Sequence, residues 1–99
     1  MGTLRILAEL SFYTKDIIGH DRTYYNKYKP MFKIRDDMYN GGQIEFVDKT
    51  VAYSGDKGVK VYIIFAFDNF VSEYLKEGTN FSFGEGPKVL GEGRVLNIL

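Results

Sequence analysis

A chain of ninety-nine residues that is 44% hydrophobic and 16% aromatic is long enough for one domain with its own core, and this composition excludes a disordered polymer. Cysteine is absent, which excludes disulfides and thiolate zinc sites and suits a reducing compartment. Net charge is zero, but residues 1–35 hold seven Lys/Arg against three Asp/Glu and the rest hold six against ten, so a basic face results unless the two parts interleave in space.

Leu4, Ile6, Ala8, Leu10 and Phe12 alternate with Arg5, Glu9 and Ser11, the pattern of a half-buried strand. Lys15 to Lys29 is polar and aromatic without a period and reads as a long loop. Pro30 stands where a strand can start without needing its N–H, and Phe32 and Ile34 then face inward. Asn40-Gly41-Gly42 is a turn signal, after which Ile44 and Phe46 resume the alternation. Ser54 to Gly58 is a second polar turn. Beyond it Val59, Val61, Ile63, Phe65 and Phe67 share one face, with Tyr62, Ile64 and Ala66 on the other, so this strand is predicted to be covered on both sides.

Asp68 to Gly78 predicts one or two helical turns, with Asp68 as cap, Phe70, Val71, Tyr74 and Leu75 on one side and Gly78 at the end. Phe81 and Phe83 alternate again before Gly84-Glu85-Gly86-Pro87 breaks the run. Val89 to Leu99 is a final strand whose Gly91 and Gly93 predict a bulge or a close backbone approach. The expected fold is therefore all-β, with six antiparallel strands closing into a barrel over residues 1–99 as a single domain. Its expected core is Ile6, Leu10, Phe32, Ile34, Ile44, Phe46, Val61, Ile63, Phe65, Phe81 and Phe83.

The longest apolar run, Val61 to Phe67, is too short to span a bilayer, and no basic-then-apolar leader opens the chain. Met1-Gly2 begins like an acylation signal, but Ile6 stands where Ser or Thr is wanted. A cytoplasmic location and no membrane association are expected. Gly86 and Gly91 have phosphate-loop spacing, yet Glu92 and Gly93 occupy the positions of the lysine and the magnesium-binding hydroxyl. Asn26-Lys27 begins a guanine-reading motif that Lys29 then breaks. No nucleotide and no cofactor are expected.

His20 is the single histidine, and without cysteine it is a poor nucleus for a metal site. Asp36-Asp37 lacks the spaced ligands of a calcium loop. No serine or threonine sits in a nucleophile-elbow context. No catalytic residue is therefore assigned, and the chain is not expected to be an enzyme.

Arg22 to Arg35 carries five cations, no carboxylate and four interleaved rings. Cations that neutralise phosphates beside rings that stack on bases are what an RNA surface requires, which makes Arg22, Tyr24, Tyr25, Lys27, Lys29 and Lys33 the candidate contacts. Alternatively, the tyrosines cover the rim of the barrel while their basic neighbours stay in water.

The stretch Phe81-Ser82-Phe83-Gly84-Glu85-Gly86-Pro87-Lys88-Val89-Leu90-Gly91-Glu92-Gly93-Arg94-Val95 resembles the closing motif of the third, C-terminal β-barrel domain of elongation factor Tu, Phe-x-x-Arg-Glu-Gly-x-Arg-Thr-Val-Gly-x-Gly-x-Val. Tyr28-Lys29-Pro30-Met31-Phe32 is similar to that domain's Tyr-Arg-Pro-x-Phe, Gly42-Gln43-Ile44 to its Gly-x-Ile and Ser54-Gly55-Asp56 to its Pro-Gly-Asp turn. The matches run in order from Leu4 to the end. The resemblance implies a six-stranded antiparallel barrel standing without the family's nucleotide domain and second barrel. It also implies contact with the acceptor and T-stem backbone of tRNA through the loop falling on Gly19 to Tyr25, and with the nucleotide domain and exchange factor.

This chain departs from the pattern at Gly84 and Lys88, which replace arginines, and at Val89, which replaces threonine. Asp21 places a carboxylate in the loop that would meet phosphate. Two functions follow from these readings. The first is a non-enzymatic module that binds a protein partner linked to translation. The second is a weak binder of the tRNA backbone through Arg22 to Lys33. Neither sets the oligomeric state. Uncovered cations on one face favour RNA, whereas cations paired with Asp36, Asp37 or Glu45 favour the protein-binding module.

Overall fold

A computed structural model describes residues 3–35, 38–65 and 71–99. The first alternation becomes strand β1 (Leu4–Phe12), its five apolar positions buried and the residues between them turned outward. A single helical turn, α1 (Lys15–Ile18), and a short strand, β2 (Thr23–Tyr25), come next. Pro30 then leads into β3 (Met31–Arg35), which is followed by β4 (Met38–Gly41) and β5 (Gln43–Phe46). The order is completed by β6 (Val51–Tyr53), β7 (Val59–Phe65), a second helical turn α2 (Val71–Tyr74), β8 (Asn80–Glu85) and β9 (Lys88–Ile98).

Seven of these strands form one antiparallel sheet in the order β4-β3-β8-β9-β1-β7-β5, curled into a half-barrel, and β2 pairs with β6 as a separate ribbon. β1 lies inside the sheet, where Ile6 is paired with Ile63 of β7 on one side and Ile98 of β9 on the other. The concave face holds every residue of the expected core. Phe32 is its hub, with edge-on contacts to Phe65 and Phe81 at centroid distances of 5.4 and 5.7 Å. Burying each such side chain is worth about 1.5–3 kcal/mol.

Gly91 and Gly93 sit where the close approach was expected. A Cβ on Gly91 would stand 2.5 Å from the Ser11 carbonyl oxygen, and one on Gly93 would stand 2.9 Å from that of Glu9. The absent side chains let β9 press onto β1 and leave room for the Phe83 and Phe81 rings.

The structure corrects the sequence reading at four places. Lys15 to Lys29 is not one long loop, because α1 and β2 lie within it. α1 is a single turn, closed where the Gly19 N–H donates to the Lys15 carbonyl at 2.7 Å with Gly19 left-handed at φ 95°, and it is too short to display a helical period. Asn40-Gly41-Gly42 is not a turn. Asn40 and Gly41 end β4, and Gly42 alone separates it from β5, its Cβ position 3.0–3.2 Å from Phe32, Ile63 and Phe65.

β6 was not foreseen, since three residues give no alternation to read. The count accordingly differs from six, with nine strands among the described residues. α2 falls inside the expected helical stretch, and Leu75 behind it is buried. Its expected cap Asp68, together with Phe67, Phe70, Asp36 and Asp37, lies outside the described residues.

Candidate interaction surface

The candidate residues divide by strand. Tyr24 is the central residue of β2, and the two-residue period turns it inward while Thr23 and Tyr25 face out. Tyr24 is 1% exposed, with its ring 4.4 Å from that of Phe12 and 5.3 Å from that of Tyr28. It lines the core and offers no face for stacking. Its hydroxyl finds no hydrogen-bond partner among the described residues, and burial raises its pKa. Tyr25, by contrast, is 67% exposed.

Arg22 is held before β2 by its own backbone, its N–H donating to the Ser54 hydroxyl at 2.7 Å while the Ser54 N–H donates to the Arg22 carbonyl. Its guanidinium forks onto Glu85, Nη1 to Oε1 at 2.9 Å and Nη2 to Oε2 at 2.8 Å. The Tyr28 hydroxyl donates to the same Oε2 at 2.7 Å, and the guanidinium carbon lies 5.2 Å and 5.9 Å from the Tyr24 and Tyr28 ring centroids. Hydrogen bonds from Arg22 and then Tyr28 hold the Glu85 carboxyl down at a pKa of about 2. Burial, reinforced by the bond to Glu85, pushes the Tyr28 phenol well up, and the Glu85 bond raises Arg22 further.

Lys27 and Lys29 are exposed on the turn between β2 and β3. Lys27 has φ 70°, and its N–H donates to the Ile44 carbonyl at 2.8 Å. Lys33 lies on the outer face of the sheet, opposite Tyr39 of β4 and Ser82 of β8, with its Nζ 5.9 Å from the Tyr39 ring. Tyr24 is therefore withdrawn into the core and Arg22 is committed to Glu85, which leaves Tyr25, Lys27, Lys29 and Lys33 outside both.

Glu85 is the partner of this segment that the reading of Arg22 to Arg35 missed. It is 63 residues away in sequence, and the one signal for it is its place at the glutamate of the closing motif.

The charge asymmetry of the sequence is likewise redistributed. Glu9 of β1 is paired with Lys60 of β7 and Arg94 of β9, so the basic first third is interleaved with later strands. An open depression of about 520 Å³ on this outer face is lined by Glu9, Ser11, Asn80, Glu92 and Arg94 among others. Among the described residues no three His, Asp or Glu side chains gather as a metal site would need, and no helix is long and apolar enough to cross a membrane. His20 lies exposed just beyond α1. No protein-family model matches the chain.

Proposed function

We propose that the chain is a non-catalytic, cytoplasmic interaction module, a six-stranded closed barrel of the kind that ends elongation factor Tu, binding a protein partner linked to translation. The closing motif and its three companions support the family reading. Closure is supported by hydrogen bonds beyond the sheet's own ladders. Ile44 of β5 donates to the Tyr28 carbonyl at 2.8 Å, and Gly42 donates to that of Pro30 at 3.3 Å. These bonds lay β5 along the residues entering β3, so that β4 and β5 act as two halves of one bent strand. A closed barrel has no free edge and binds through a face or through loops.

The observation that favours protein over RNA is the commitment of Arg22 to Glu85, which withdraws the best phosphate ligand of the segment. Lys27, Lys29 and Lys33 remain, too few for more than binding near or below the non-specific range of roughly 10⁻⁴–10⁻⁶ M. Titration of labelled tRNA at low and moderate salt separates the readings. Weak or undetectable binding is expected. Tight binding that falls steeply with salt and is lost in Lys27→Ala/Lys29→Ala would establish the RNA reading instead. Capture of the same proteins from lysate before and after ribonuclease treatment tests the protein reading directly.

A further inference from the structure

The middle of β8 carries little bulk on its outer face. Ser82 is half-buried there, and Gly84 beside it is buried, its Cβ position closed by the Lys88 backbone, so this stretch forms a low furrow floor between taller side chains. On one side stand Met31, Lys33 and Tyr39; Met31 is paired with Gly84 and Lys33 with Ser82. On the other stand Lys88 and Val89 at the start of β9, beside the bulge at Gly84. The furrow encloses about 150 Å³, well below the roughly 300–1,000 Å³ of small-molecule sites. It accommodates one side chain rather than a substrate.

The walls have two notable properties. Met31, Tyr39 and Val89 are 41%, 52% and 44% exposed, an unusual gathering of large apolar side chains in water. The charged residues lining the furrow are Lys33 and Lys88, with no carboxylate between them. Glu85 adjoins the floor but is held by Arg22 and Tyr28, and Glu92, opposite Ser82, bounds the furrow toward β1.

The geometry points to a docking groove for an acidic segment of a partner protein, one apolar side chain seated between Met31 and Val89 and the flanking carboxylates on Lys33 and Lys88. This rests on the protein-binding reading above and names the partner's chemistry. The lysines select for acidic character and speed encounter, while the apolar walls supply the energy.

The test uses a short labelled peptide of Asp and Glu around a central Leu-Phe pair, with two controls, one carrying Lys for the acids and one carrying Ala for the pair. The acidic peptide is expected to bind, and both controls to bind more weakly. Lys33→Glu/Lys88→Glu is expected to weaken the acidic peptide by about tenfold or more. Ser82→Phe, which fills the floor and leaves the lysines in place, is expected to do the same, with thermal unfolding verifying that both variants fold. Equal affinity for the two charge types, or undiminished binding by the double variant, overturns the groove. Equal binding of the Ala control together with displacement by tRNA overturns it in favour of a general polyanion surface. Proteins still captured from ribonuclease-treated lysate by the double variant would remove the groove and keep the protein-binding reading, whereas capture that ribonuclease abolishes would remove both.

Discussion

Glu85 has the lowest-lying titration described in the molecule, and the sign of its effect follows from that. Its folded pKa of about 2 lies below the ordinary 4.5, so it contributes stability that is fully present above the ordinary value and lost as pH falls from there toward 2. With the Glu85 side chain 47% exposed, solvent screening limits the effect to about 1 kcal/mol or less. Glu85→Gln is expected to flatten acid unfolding across that window and change little at neutral pH beyond the loss of the ion pair. Denaturant titrations at pH 7 and pH 3 would measure both, and an unchanged pH 3 to pH 7 difference would refute the assignment. Lys27 gives a second residue-scale test. Its left-handed backbone costs a non-glycine residue about 1–2 kcal/mol, partly returned by the greater unfolded-state freedom of glycine. Lys27→Gly is therefore expected to leave stability unchanged or raise it by up to about 1 kcal/mol, and a loss would mean that the side chain makes a contact of its own.

The strands show which parts of the sequence could be read and which could not. β1 and β7 were legible because nine and seven residues of alternation repeat one physical demand several times over. α1, β2 and β6 were not, because three or four residues obtain their conformation from neighbours rather than from a period of their own. Gly41-Gly42 misled because glycine serves two purposes, and here Gly42 admits the core side chains rather than reversing the chain. In the candidate site, the cations and rings were legible by type. Their division among core, ion pair and open surface depended on a partner in β8 that no local pattern announces. Two substitutions test the element scale. Ile63→Ala in β7, 0% exposed and paired with Ile6 and Ile44, is expected to cost about 2–5 kcal/mol. In β9, Gly91→Ala is expected to cost more than Gly93→Ala. Gly91 meets backbone at 2.5 Å, whereas Gly93 meets it only at 2.9 Å and its nearer contacts are the tips of Leu10 and Phe81 side chains, which can move aside. The reverse order in chemical denaturation would contradict the packing described.

At the scale of the whole molecule, closure of the barrel is open to hydrogen exchange. If β5 is sealed against the residues entering β3, the Ile44 and Lys27 amides should be protected nearly as well as those of β7. Exchange at the rate of an exposed edge would mean a sheet open between β5 and β3. The placement of β1 bears on how the protein comes into being. Both its sheet neighbours are made long after it, Ile6 finding Ile63 and then Ile98. On a ribosome this apolar strand emerges with two unsatisfied edges and waits for most of the chain. Folding should thus wait until β9 has been made, at the slow end expected for distant pairings. During that interval Arg5 and Glu9, the charges spaced along its outward side, are what the nascent strand has to discourage pairing with a stranger.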